Sequence, residues 1–236
     1  MKTTLHKANT RGHANHGWLD SWHTFSFAAY YDPARVHFGT LRVLNDDTVA
    51  PGKGFGTHPH DNMEIISIPL DGALQHQDSL GNRQVIRKGD VQAMSAGTGV
   101  AHSEKNLNDD ALVKFLQIWV FPNQRDVAPR YDQKTFSDED KHNNLLTVVA
   151  PMGSDQGVQI HQDAWFSLGK LDKDLTLTYD LKSEGNGVYT FLIEGDVTIN
   201  DIVLNRRDGL GLSDTPRLTI QANSNAELLL MEVPMI

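Results

Sequence analysis

Two short pairs of residues hold most of the chemistry legible in this chain. The run Gly54-Phe55-Gly56-Thr57-His58-Pro59-His60 contains a His-x-His, and Val100-Ala101-His102-Ser103-Glu104 contains a His-x-Glu. In an extended strand, residues i and i+2 project from the same face. Each pair therefore offers two ligands to one side of its strand. Together they supply three imidazole nitrogens and one carboxylate oxygen. That donor set suits one divalent transition ion and does not by itself select among Fe(II), Zn, Ni, Mn, Co and Cu, of which Fe(II) is the expected one. Glu104 is also the candidate general base. Either pair alone is a weak signal. Two pairs separated by hairpin sequence, each preceded by glycines that permit turns, form a specific one.

Other residues invite the same question and receive a plainer answer. Glu64 shares the parity of His58 and His60 if the strand runs unbroken; it is then a ligand, a residue that orients ligands, or one beyond a bend. His76 sits in an alternating stretch and reads as a pocket or surface residue. His13, His16 and His23 are not expected to form a second metal site. Trp18, Trp22, Phe25, Phe27, Tyr30 and Tyr31 read as core, with Phe55 the better candidate for a pocket wall.

The elements that must position these residues are short strands. Apolar runs of four to eight residues are punctuated by Asp71-Gly72, Gly81-Asn82, Gly89-Asp90, Gly195-Asp196 and Asp208-Gly209, and helical periodicity is scarce. This is an all-β pattern of sandwich or barrel type. The stretch from Glu64 to Ser95 repeats, turn for turn, in Tyr189 to Ser213, which implies two copies of one unit. The polar segment 121–143, with Pro122 and Pro129, reads as the linker. It places the boundary near residue 131, giving units 1–131 and 132–236. A short helix is expected within 138–143, capped by Ser137.

Composition narrows the function classes. The chain has 236 residues, a net charge of −9 and no cysteine. Disulfides, thiolate metal sites and cysteine nucleophiles are excluded. The acidic balance disfavours direct nucleic-acid binding, and the small basic cluster Arg206-Arg207 reads as a solvated turn. No stretch of about 18 apolar residues offers a membrane span, and the N-terminal residues do not read as a signal peptide. The expected setting is the cytoplasm and the expected state a monomer, with a protein partner as the alternative.

The residues around the two pairs resemble the cupin superfamily. Gly52, His58, His60 and Glu64 fall on its first motif, with the closing Gly72 one place late. Gly89, Gly97, His102 and Asn106 fall on its second, with Ser95 where a proline is usual and four residues rather than two between Gly97 and His102. These departures resemble one branch, the pirin family, as do Gly12-His13-Ala14-Asn15-His16-Gly17-Trp18, Thr24-Phe25-Ser26-Phe27 and Gln75-His76-Gln77-Asp78-Ser79. The likeness covers almost all of residues 1–131; beyond residue 150 it rests mainly on the repeat.

The resemblance implies a bicupin of two tandem jelly-roll-like barrels, with few short helices. It places metal only in the first unit, at His58, His60, His102 and Glu104. It further implies a dioxygenase that opens the heterocycle of quercetin, a flavonol, with O2 and releases carbon monoxide. Another small phenol or enol is an alternative natural substrate. A different class of reading is a non-enzymatic, redox-sensing regulatory module that binds a protein partner, as eukaryotic pirins are thought to do.

Overall fold

The computed structural model describes residues 1–236. Its elements are twenty-two strands, one 3-10 turn and one α-helix, Asp138–Lys141. The helix is capped as expected: Ser137 Oγ accepts the Asp140 N–H at 3.1 Å.

The strands form two units, each with one seven-stranded and one four-stranded sheet. In the first unit the large sheet runs in the spatial order Arg130–Thr135, Asp90–Ser95, Glu64–Asp71, Val113–Val120, Leu41–Val49, Leu19–His23, Gly12–Asn15. The small sheet runs Gly54–His60, Val100–Asn106, Ala73–Asp78, Arg83–Arg87. The second unit repeats this plan. Its large sheet runs Lys2–His6, Gly209–Ser213, Asn186–Glu194, Ala226–Pro234, Trp165–Leu171, Leu146–Pro151, Val158–Ile160. Its small sheet runs Thr176–Asp180, Arg217–Ala222, Asp196–Ile199, Ile202–Asn205. The two stretches read as copies in the sequence occupy corresponding places.

The outermost strand of each large sheet comes from elsewhere in the chain. Lys2–His6 pairs with Gly209–Ser213 of the second unit, although it opens the first. Its position there corresponds to that of the linker strand Arg130–Thr135, which pairs with Asp90–Ser95. The sequence-based boundary near residue 131 falls inside that linker strand.

Burial explains why the two interiors differ. The largest apolar cluster, of 24 buried residues, draws on both large sheets, from Leu44, Ile66, Ile68 and Leu116 to Phe166, Phe191 and Met231. A second cluster of 15 fills the second unit with residues such as Leu177's neighbours Leu218 and Ile220. Inside the first unit only clusters of six and four form, around Phe115 and around Met94. The rest of that interior is polar.

Candidate metal centre

The small sheet of the first unit brings the two pairs together. His58 stands directly opposite His102, and His60 opposite Val100. The register slips by one residue before Glu104, which pairs with Phe55. Gly54 allows this close pairing, since a Cβ there would lie 2.2 Å from the Glu104 carbonyl oxygen. On the other side of the same strand, His102 faces Asp78 and Glu104 faces His76. In the second unit the corresponding strands pair Leu177 with Ile220 and Tyr179 with Leu218. Apolar side chains fill the space there.

The imidazoles of His58, His60 and His102 have ring centroids 4.5 to 4.9 Å apart. One ligand atom from each lies within 4.8 Å of the others. His76, His102 and Glu104 form a second such group. The four expected ligands thus fall into two overlapping sets joined at His102, and His76 is brought in beside them.

Protonation can be read from the hydrogen bonds. His58 Nδ1 lies 2.8 Å from the Gly56 carbonyl, which can only accept. Nδ1 therefore carries a proton, and Nε2 is the nitrogen left to face an ion. His76 Nε2 lies 2.9 Å from Asp78 Oδ2, which leaves its Nδ1 bare. His60 Nε2, His76 Nδ1 and both ring nitrogens of His102 are buried without a protein partner. Burial, helped by His58, lowers the His60 pKa to about 4. Burial, with His58 and His60 adding to it, lowers that of His102 to about 3. Both rings are neutral at physiological pH, the state a metal ligand requires. Buried, neutral and unpartnered imidazole nitrogens at this spacing fit a divalent transition ion.

Glu104 is held differently. Its Oε2 accepts from Gln117 Nε2 at 3.0 Å, and its Oε1 lies 2.9 Å from Ser67 Oγ. Ser67 Oγ is also 2.7 Å from Gln117 Oε1. One hydroxyl proton cannot serve both oxygens. The ring closes fully when Glu104 is protonated, donates to Ser67, and Ser67 donates to Gln117. Burial raises the Glu104 pKa in the same direction.

A cavity of about 140 Å3 opens beside these residues. His58, Glu104, Gln117 and Trp119 lie on one side, Phe27 and Phe55 form apolar walls, and Ser21, His23, Asn45 and Asp47 line the rest. Trp119 stands edge-on to His60 at 5.0 Å and its indole N–H is buried without an acceptor. Burial raises the Asp47 pKa to about 7 although Ser21 donates to its carboxylate.

Glu64 does not join the site. Asn62, at a φ of 45°, turns the chain between Gly54–His60 and Glu64–Asp71. Glu64 then shares a face with Ile66 and Ile68 of the apolar cluster common to both units. It accepts from Ser95 Oγ at 2.7 Å, and its other oxygen is 3.6 Å from His161 Nδ1. Burial raises its pKa to about 6. His16 and His23 line the cavity, whereas His13 stacks on Trp22 at 4.0 Å. Phe55 is a cavity wall as expected. Tyr31, expected in the core, is 73% exposed. Sequence reasoning missed Asn45 and Asp47 on Leu41–Val49, Gln117 and Trp119 on Val113–Val120, and Ser67 on Glu64–Asp71, residue types that do not mark a site by themselves.

Tandem two-sheet units with a histidine cluster in the first alone define a bicupin metalloprotein. Residues 4–120 match the pirin family model, and residues 147–233 match that of the quercetinase C-terminal cupin domain. The chain belongs to the pirin family. It is 44% identical to a quercetin 2,3-dioxygenase of Escherichia coli (strain K12), covering 98% of each chain. It is 42% identical to a pirin-like protein of Caulobacter vibrioides, over 94% of this chain and 95% of that one. The crystal structure of the bacterial pirin YhhW from Escherichia coli, in complex with nickel(II), superposes with a TM-score of 0.94 at 42% identity, covering 100% of both chains.

Proposed function

We propose that the chain is a metal-dependent dioxygenase that opens the heterocycle of quercetin, or of a similar flavonol or enol, with O2. His58, His60, His102 and Glu104 would hold the ion, Fe(II) being the proposed native metal. The observation that carries this reading is the set of neutral, buried, unpartnered imidazole nitrogens beside a cavity open to a small organic molecule. The relatives named quercetin 2,3-dioxygenase support the reaction class, and the nickel(II) complex of a related pirin supports a divalent ion at such a site.

When bound, the ion supplies Lewis acidity toward a chelating hydroxy-ketone and a redox-active centre for O2. The chain's own residues do the rest. Phe27 and Phe55 offer a planar ring apolar walls and exclude water from it. The Trp119 N–H, otherwise without an acceptor, is placed to donate to a substrate oxygen. Glu104, ionised and only weakly bound to the ion, would take the substrate's hydroxyl proton, and the ring with Ser67 and Gln117 described above accommodates its protonated form.

The cavity is smaller than the roughly 300–1,000 Å3 of drug-sized ligand sites. Its size favours a single-ring enol or phenol over a full flavonol as the snugly held part. The test is anaerobic reconstitution with Fe(II), followed by O2 uptake and substrate loss with quercetin and with a single-ring 3-hydroxypyran-4-one. The expected result is one O2 consumed per substrate, abolished in His58→Ala, and reduced on the order of 10²–10⁴-fold in Glu104→Gln with most of the metal retained. No turnover of either substrate with iron, manganese, nickel or copper would overturn the enzymatic reading in favour of a regulatory module.

A further inference from the structure

Arg206-Arg207 does form a turn, between Ile202–Asn205 and Gly209–Ser213, but only half of it is solvated. Arg207 is 7% exposed and has a φ of 67°, a backbone conformation that side-chain-bearing residues rarely adopt. Its Nε lies 3.5 Å from Asp46 and its Nη2 3.5 Å from Glu194. Its Nη1 is buried with no partner at all. The turn is pinned in place, because Asp208 accepts from the backbone N–H groups of Asn205 and Ala8 and from the Lys7 ammonium, at 2.7 to 3.0 Å.

Beside Arg207 lies a cavity of about 390 Å3, lined by Arg11, Trp22, Asp46, Thr48, Lys114 and Arg206. Three parts of the chain meet there: the N-terminal segment that crosses between units, the large sheet of the first unit, and this turn of the second. Arg11 is held rigidly. Its guanidinium is 5.4 Å from the Trp22 ring and 5.7 Å from that of Phe191, with Nη1 at 3.3 Å from Asp46. Four cations, Arg11, Lys114, Arg206 and Arg207, face two carboxylates, Asp46 and Glu194. Two positive charges are left over, in a chain whose net charge is −9.

The pocket lies on the reverse face of strands that wall the metal cavity. Trp22, Asp46 and Thr48 project into it, while Ser21, His23, Asn45 and Asp47 project the other way. Alternation along two strands thus serves two sites.

We propose that this junction pocket binds a phosphate-type dianion, free or as a monoester, with Arg11, Lys114 and Arg206 as its donors and the buried Arg207 guanidinium adding charge from the pocket wall. Guanidinium forks match phosphate oxygens in geometry, and a dianion matches the excess charge.

Isothermal titration of the metal-loaded protein with inorganic phosphate and with phenyl phosphate, at constant ionic strength, tests this. One saturable site is expected for at least one of the two, and the tighter ligand identifies the free ion or the monoester as the source. Affinity should fall at least 10-fold in Lys114→Gln and in Arg207→Gln, and survive unchanged in His58→Ala, which removes the metal cavity as the site. Should Arg207→Gln not fold, the exposed Lys114→Gln decides alone. No saturable binding of either ligand, equal affinity in Lys114→Gln, or loss in His58→Ala would overturn the proposal.

Discussion

A single carboxyl shows how the interior of the first unit sets protonation. Asp47 lies on a strand whose inward side is otherwise apolar or amide-bearing, and it is 3% exposed. Burial, with Asp46 and Glu104 adding to it, raises its pKa from 3.8 to about 7. A carboxyl whose folded-state pKa is raised contributes stability below its unfolded value. That contribution is lost as pH rises through the folded value. In the metal-free protein, wild type should therefore lose stability relative to Asp47→Asn between about pH 4 and pH 7. At 1.36 kcal/mol per unit, about 4 kcal/mol is the upper bound. Urea unfolding of both proteins across that range measures it. A difference that does not change with pH would mean that Asp47 is solvated or already ionised in the fold.

At the scale of elements, the site depends on how closely two strands approach. His58 and His102 meet because Gly54–His60 pairs with Val100–Asn106, and at Gly54 the strands leave no room for a Cβ. Gly54→Ala places a methyl group 2.2 Å from the Glu104 carbonyl oxygen and must push the strands apart. The expected cost is about 1–3 kcal/mol of stability, together with at least a 10-fold loss of metal affinity, the scale on which misplaced ligand supports act. Equilibrium metal titration of the folded variant checks this; wild-type affinity would show that the register is fixed elsewhere.

These strands were also where the sequence spoke most clearly. Residues of period two, such as His58 with His60 and His102 with Glu104, report their face directly. Glu64 has the same parity on paper, yet lands on the opposite side of another sheet. One residue, Asn62, turns the chain between them, and its left-handed conformation left no unambiguous mark in the sequence. Gly12–Asn15 and Leu19–His23, a hairpin, escaped notice because the side chains they turn toward the cavity include Ala14, Ser21 and His23, so that no apolar alternation marks them. The cavity wall they supply was therefore invisible, as were Ser67 and Gln117, which matter only through Glu104.

At the scale of the whole molecule, the apolar runs in Glu64–Asp71, Val113–Val120 and Ala226–Pro234 marked strands, and the structure buries these on both faces. Which surface covered the second face was not stated by any local pattern. It is the other unit's large sheet, so that the largest apolar cluster belongs to neither unit alone. Two exchanges reinforce it. Lys2–His6 completes the second unit's sheet, where His6 Nδ1 meets the Tyr189 hydroxyl at 2.8 Å, and Arg130 bonds across to the Gln159 carbonyl. A chain of two such units ordinarily unfolds in separable steps. Here, unfolding either unit strips the shared cluster from the other, and the N-terminal strand ties the first residues to the last sheet. Scanning calorimetry of the metal-free protein should therefore give one transition, with a van't Hoff enthalpy close to the calorimetric one. Deleting residues 1–6 leaves the edge at Gly209–Ser213 open and the Tyr189 hydroxyl without its partner. The melting temperature should then drop by several degrees, each kcal/mol lost being worth roughly 2–4 °C in a chain of this size. Two resolved transitions in the intact protein would mean that the units are stable apart and that the shared cluster is only a docking surface.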